Sequence, residues 1–192
     1  MEFIITTIIL ILLTIVLKFI FNYNIKKLKK IGEDEELDKI ASKYPSNIEI
    51  CKSYLKKLNN ENVKIEEKQQ SEASLYIAVT NKISIANIQK TYTRIQTIAH
   101  ECLHSVQDRK LLIFNFVFSN IYLLYFFTIC ILALFKILPC KMMFLNILFL
   151  FSLVYYMVRM YLENDAMIKA KYLAKEFMEE VKISSDEEID KI

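Results

Sequence analysis

The sequence has little glycine, proline or net charge, and these shortages narrow the class of protein. Of 192 residues, one is Gly and two are Pro, while 54% are hydrophobic and the mean hydropathy is +0.28. This composition is too apolar for a typical soluble domain and fits a membrane protein. The formal net charge is only +3 and the lysines are spread along the chain, so the charge pattern does not indicate nucleic-acid binding.

The four cysteines also lack a recognisable pattern. Cys51 lies in a lysine-rich polar segment and Cys130 in an apolar run, while Cys102 and Cys140 have no neighbour at a paired spacing. The sequence contains no C-x-x-C pair, which argues against a zinc site made only of thiolates. A disulfide framework is not predicted either.

Histidine is the scarcest of the chemically useful residues, and both histidines fall in one motif. His100-Glu101-Cys102-Leu103-His104 has the pattern H-E-x-x-H. Residues four apart on a helix share a face, so His100 and His104 can bind one metal ion. Glu101 then lies where a general base is needed. Because no third histidine exists, zinc proteases with three histidine ligands are excluded, and the third ligand must be a carboxylate or a cysteine.

Three apolar segments are long enough to be membrane spans. The first, residues 1–21, is predicted to be an uncleaved anchor, because Glu2 precedes its apolar run and no small-residue cleavage site appears. The second and third spans are residues 111–135 and 142–162, and their short separation predicts a helical hairpin over 111–162. The few polar residues inside these runs are expected to make helix–helix contacts, and they are Asn115, Asn120, Asn146 and Ser152.

Basic residues set the orientation by the positive-inside rule. They cluster in residues 22–110, whereas the hairpin turn carries only two lysines. We therefore expect the N-terminus outside, and residues 22–110 and 163–192 in the cytoplasm, of a bacterial plasma membrane. The residues that support this orientation are Lys26, Lys27, Lys29, Lys30, Arg109 and Lys110, against Lys136 and Lys141 in the turn.

A small α+β domain is predicted for the cytoplasmic segment 22–110. Residues 62–67 are typical of a strand, and residues 75–86 predict a β-hairpin. A helix is expected from about Ile88 through the histidine motif to Lys110. Residues 163–192 are expected to form a helix whose acidic end, after Lys182, frays.

The predicted hairpin selects a third metal ligand. The second span starts close after the histidine motif and the third ends just before Glu163, so antiparallel packing brings Glu163 to the motif. Asp165 and Gln107 are expected beside the ligands, where Asp165 could orient a histidine and Gln107 could cap a helix or face solvent. Cys102 lies on a different helix face from the histidines and is expected to be a buried apolar residue.

These motifs together resemble a known family. His100 to Gln107 reads H-E-x-x-H-x-x-Q, and after the hairpin Glu163 begins the pattern E-x-[ND]-A-x-x-[KR]-A. The combination looks like the bacterial neutral zinc metallopeptidases of the membrane-embedded kind. It is more distantly similar to the CAAX prenyl proteases and the heat-shock membrane protease.

The resemblance implies a minimal gluzincin with one zinc ion per chain. By it, His100, His104 and Glu163 would be zinc ligands and Glu101 the catalytic base. The chain departs from the relatives at two positions. Leu103 stands where many relatives have Gly, and Met167 stands where the prenyl-protease branch has Asp. The second departure argues against that branch.

Two functions fit the sequence. One is a membrane-bound zinc endopeptidase at the cytoplasmic face, which cleaves a peptide or membrane-protein substrate held along a strand edge in residues 75–86. The other is a catalytically inactive metal-binding membrane protein with a structural or interaction role. The sequence leaves the residue that stabilises the oxyanion open among Tyr92, Tyr172 and Arg159.

Overall fold

The computed structural model describes residues 2–20, 34–68, 73–86, 88 and 91–192. The chain divides into two compact units, Met1–Glu36 and Leu37–Ile192, which are treated separately. The lysine cluster at residues 26–30, which supports the predicted orientation, lies outside the described residues.

The first unit contains an apolar helix, α1 (Glu2–Ile20). Its side chains that can be described, among them Leu12 and Phe19, are exposed. Among the described residues, α1 is not one of the two helices that are long and apolar enough to be candidate membrane spans. A membrane anchor over residues 1–21 therefore stays a prediction.

The remaining described residues are mostly helical around a small sheet. In chain order the elements are α2 (Glu35–Ala41), α3 (Asn47–Lys57), β1 (Lys64–Lys68), β2 (Leu75–Ile77), β3 (Lys82–Ala86), α4 (Arg94–His104), α5 (Arg109–Leu134), α6 (Lys141–Val181) and α7 (Asp186–Ile189). The hydrophobic core lies where α3, the sheet, α4 and the second half of α6 meet.

The sheet has the order β1-β3-β2 within the described residues. β2 pairs antiparallel with β3, with Tyr76 opposite Ile83, so the predicted β-hairpin is present. Asn81 in its turn has φ 49°, a left-handed conformation that asparagine tolerates better than most residues. β1 pairs in parallel with β3. β2 is therefore an edge strand, and one side of its backbone is free to face the histidine helix.

A buried arginine fixes the start of the histidine helix α4. Arg94 is buried, and its guanidinium donates to the carbonyl oxygens of Ala41, Tyr44 and Pro45 at 2.8–2.9 Å. It also donates to the side chain of Asn47 at 2.9 Å. Such a charge is tolerated in the core because its donors are largely satisfied. The turn between α2 and α3 is thereby tied to the first residue of α4.

The single helix expected from about Ile88 to Lys110 is wrong at both ends. α4 starts at Arg94 and ends at His104, and α5 begins after Asp108. The Asp108 side chain accepts the N–H of Lys110 at 2.9 Å, which caps the new helix. This break separates the histidine helix from the first helix of the hairpin.

The acidic tail is also more ordered than expected. Ser185 and Glu188 form a capping box that starts α7, and Ile189 is buried in the core. Lys175 on α6 forms an ion pair with Asp190 at 2.6 Å. Ile189, an apolar residue within the acidic sequence, could have indicated from the sequence that this segment packs against the core.

The predicted helical hairpin is formed by α5 and α6. These are the two helices of the described residues that are long and apolar enough to cross a membrane, with 6% and 0% of their apolar windows buried. Aromatic rings pack between them, as with Phe118 and Phe151 at 5.4 Å. The helix α6 is 41 residues long and continues without a break through Leu162 and Glu163, where the third span was expected to end.

Candidate metal centre

The structure brings His100, His104 and Glu163 together, as the hairpin argument predicts. The Nε2 atoms of His100 and His104 are 3.0 Å apart. The Oε2 atom of Glu163 lies 3.3 Å from Nε2 of His100 and 3.8 Å from Nε2 of His104. Among the described residues this is the group of histidine, cysteine and carboxylate side chains whose donor atoms converge closely enough to hold a metal ion.

The spacing of these three atoms fits zinc. In a tetrahedral site with ligand distances of about 2.0–2.1 Å, neighbouring donor atoms are about 3.3 Å apart. The observed separations of 3.0, 3.3 and 3.8 Å lie on either side of that value. Two imidazole nitrogens and one carboxylate oxygen are a common donor set for a catalytic zinc site, which keeps its fourth position open.

Small side chains explain how Glu163 comes so close to the histidine helix. Ala166, Ala170 and Ala174 recur every four residues along α6 and are buried in the core that α4 shares. A methyl group allows two helices to approach closely, whereas a larger side chain would hold them apart. Glu163 continues this stripe one turn earlier, so it faces α4 at the level of His100 and His104.

A chain of hydrogen bonds orients His104. Nε2 of Gln107 donates to the carbonyl oxygen of Leu162 at 2.8 Å and to Oδ2 of Asp165 at 3.0 Å. Its Oε1 therefore accepts from Nδ1 of His104, 2.8 Å away. This places the proton of the neutral imidazole on Nδ1 and leaves the lone pair of Nε2 facing the cluster.

The protonation states also favour metal binding. Burial and the neighbouring His104 lower the pKa of His100, although Glu163 opposes the shift. A neutral imidazole is the form that binds a metal ion. Hydrogen bonds from Gln107 and Lys169 lower the pKa of Asp165, which keeps that carboxylate ionised and able to hold Gln107.

Glu101 is placed beside the cluster in a confined position. Its side chain is 8% exposed, and its Oε2 accepts the backbone N–H of Tyr76 on β2 at 2.6 Å. Burial raises the pKa of Glu101 to about 7, even though the Tyr76 hydrogen bond acts in the opposite direction. A carboxyl group with a pKa near neutrality can both take and return a proton at physiological pH.

These residues open onto a cleft of about 690 Å³. Its walls are the edge of β2 with the following turn, the histidine face of α4, the first turns of α5, and α6 around Glu163. Another cavity, of about 700 Å³, lies between α3 and β1, but none of its lining residues belongs to the metal cluster. The candidate site is therefore identified by the metal-binding residues that line it and not by the volume of the cavity.

Arg159 is the one of the three open oxyanion candidates that lines this cleft. Its Nε lies 3.8 Å from Oε1 of Glu163, whereas the histidines contact Oε2 of the same carboxylate. Tyr92 is buried and the side chain of Tyr172 faces solvent, and neither lines the cleft.

The structure also shows contacts that the sequence does not predict. The Sγ atoms of Cys51 and Cys102 lie 3.5 Å apart in the core as free thiols, although the two residues are distant in sequence. Cys102 is buried as expected and points away from the metal cluster. Tyr76 and Asn115 both line the cleft, and no motif indicates either of them.

Comparison of the chain with protein-family models, with curated proteins and with solved structures found no match.

Proposed function

We propose that the protein is a membrane-bound zinc metalloendopeptidase of the gluzincin kind. The observation that carries this proposal is the convergence of His100, His104 and Glu163 in a cleft that also holds the carboxylate of Glu101. Two histidines and a glutamate would hold one zinc ion. When bound, zinc would supply a Lewis acid that makes water more acidic and polarises a peptide carbonyl.

Glu101 is assigned the proton transfers of the reaction. It takes a proton from the water that attacks the carbonyl carbon and gives it to the amide nitrogen as the C–N bond breaks. The products are a carboxylate and an amine, so the reaction consumes one water. A pKa of about 7 suits both transfers, because the group is neither fully protonated nor too weak a base at neutral pH.

The edge of β2 is proposed to bind the backbone of the peptide substrate. An extended peptide can add to a strand edge through backbone hydrogen bonds. In the peptide-free protein the N–H of Tyr76 is bound to Glu101 at 2.6 Å. If the peptide accepts that N–H instead, Glu101 loses a hydrogen bond that lowers its pKa, and it becomes a stronger base where the proton must be taken.

Membrane location is proposed on the exposure of α5 and α6. Their apolar windows are 6% and 0% buried, which would be costly in water but is suitable in a bilayer. The positive-inside rule supports a cytoplasmic site and C-terminus, with the hairpin turn outside, and we propose that the membrane is a bacterial plasma membrane. α1 would be the third span.

Cys140 allows a direct test of this orientation. It lies exposed in the hairpin turn, whereas Cys51 and Cys102 are buried. A maleimide that cannot cross membranes should label Cys140 in intact cells, and Cys140→Ser should remove the label. Labelling only after the membrane is opened would reverse the proposed orientation.

The activity is tested with Glu101→Gln, in which an amide replaces the base without a large change in volume. Cleavage of labelled β-casein by the detergent-purified, zinc-loaded protein should fall by about 10²-fold or more, because general-base catalysis is lost. Zinc content should not change, since Glu101 is not one of the three converging ligands. Zinc binding without any casein cleavage by the unmodified protein would favour the inactive, structural alternative.

A further inference from the structure

Asn115 carries an unexplained polar group in the wall of the cleft. Its Oδ1 atom is closed off from solvent and has no hydrogen-bond partner among the described residues. The residue lies in an apolar helix, where Leu112 and Phe116 line the same cleft beside it. An unsatisfied buried acceptor costs about 1–3 kcal/mol, and a leucine, which has the same branched shape, would avoid that cost.

Four other polar side chains of the hairpin form hydrogen bonds within their own helices. Ser119 donates to the carbonyl oxygen of Phe116 at 2.8 Å, and Asn120 donates to the same oxygen at 2.7 Å. Thr128 and Ser152 likewise donate to carbonyl oxygens in their own helices. Such bonds need no partner helix and no ligand. Ser119 lines the cleft as well, but its hydroxyl is satisfied within the helix. Asn115 differs because it lines the cleft and its Oδ1 has no partner among the described residues.

The position of Asn115 suits a peptide bound along β2. Leu75, Tyr76 and Ile77 form one wall of the cleft, and the first turns of α5 form another. An extended peptide uses one edge of its backbone to pair with a strand. Its other edge presents N–H and C=O groups toward α5, whose other lining residues are Leu112, Phe116 and Ser119. The terminal torsion of an asparagine side chain is soft, so rotation about it can turn Oδ1 from its enclosed position toward a peptide N–H.

We propose that Asn115 is a substrate-binding residue whose Oδ1 accepts a backbone N–H of an extended peptide held between β2 and α5. This inference rests on the proposed peptidase function and names the residue that holds the second edge of the substrate. It also explains why Asn115, a polar residue whose unsatisfied acceptor lowers stability, occurs in an apolar helix.

The test compares Asn115→Leu with Asn120→Leu, a matched change on the same helix outside the cleft lining. Both are made in the Glu101→Gln background, so that the probe, fluorescein-labelled β-casein, is bound and not cut. Fluorescence anisotropy with the zinc-loaded protein in detergent gives the dissociation constant. We expect Asn115→Leu to raise this constant about tenfold, because the peptide N–H loses its buried partner. Asn120→Leu should stay within about twofold of the parent.

A second readout separates substrate binding from a structural role. If Asn115 serves only the peptide, Asn115→Leu should keep its zinc content and have a melting temperature equal to or above that of the parent, since it removes an unsatisfied group. A lower melting temperature together with lost zinc would show a structural role and overturn the inference. Unchanged casein binding in Asn115→Leu, equal weakening in Asn120→Leu, or no casein binding at all would also overturn it. Cleavage by the protein with Glu101 intact is measured separately, so failure of the peptidase function is seen as a distinct result.

Discussion

The two halves of α6 belong to one unbroken helix, yet the apolar side chains of one half are exposed and those of the other half are buried. In the hairpin half, residues 141–162, large apolar side chains such as Phe149 point outward, at 70% exposure. In the core half, residues 163–181, Ala170 and Phe177 are buried against the rest of the domain. The change occurs at Glu163, which lies in the candidate metal centre. The candidate site therefore lies at the point where a helix held by a packed core continues into a segment whose surface is mostly not covered by protein.

The largest difference in stability is expected when one phenylalanine is truncated in each half. Phe177 is 3% exposed, and its ring lies 5.2 Å from that of Tyr54. Phe177→Ala should lower the free energy of unfolding by about 3–5 kcal/mol, because it removes a ring from a packed core and leaves a cavity. Phe149→Ala should change it by less than about 0.5 kcal/mol. Chemical denaturation in detergent measures both, and equal losses would show that the hairpin half is packed against protein.

A smaller effect is expected from enlarging the alanine stripe. Ala170→Leu should cost about 1–3 kcal/mol of stability, because a larger side chain does not fit between α6 and α4. It should also weaken zinc binding, since the helix that carries Glu163 is pushed away from His100. Met157→Phe, on the exposed hairpin half, is the control and should leave both quantities unchanged. Normal zinc affinity in Ala170→Leu would mean that helix spacing does not position Glu163.

The smallest predicted effect concerns the hydrogen bonds that orient His104. Gln107→Leu removes the acceptor of the Nδ1 proton, so the ring is no longer held with Nε2 toward the cluster. Zinc affinity should fall about tenfold, within the usual range for such supporting residues. Asn164→Ala, an exposed neighbour of Glu163, should have no effect. Calorimetric titration with zinc distinguishes the two, and equal affinities in all three proteins would remove Gln107 from the site.

Much of the candidate site follows from local rules. Helix periodicity puts His100 and His104 on one face, and the two apolar runs predict a hairpin that returns Glu163 to them. Both arguments use spacings of a few residues or a single topological step, and the structure has the expected proximity. The β-hairpin at β2 and β3 follows in the same way from its β-forming residues.

What the sequence does not predict depends on contacts between distant segments. The approach of Cys51 to Cys102 and the insertion of Arg94 into the α2–α3 turn join residues about fifty positions apart, and no local pattern encodes them. The break between α4 and α5 was missed because an apolar helical pattern continues across it, although Asp108 is a good capping residue. Asn115 was expected to link helices, and only the three-dimensional arrangement shows that its Oδ1 is left without a partner.

The most direct test of the central claim is zinc content, measured by elemental analysis of detergent-purified protein beside its Glu163→Ala and Asp165→Ala variants. The account predicts about one zinc ion per chain in the unmodified protein, loss of zinc in Glu163→Ala, and a much smaller loss in Asp165→Ala. Absence of zinc from the unmodified protein, or a greater loss in Asp165→Ala than in Glu163→Ala, would contradict a site made of His100, His104 and Glu163.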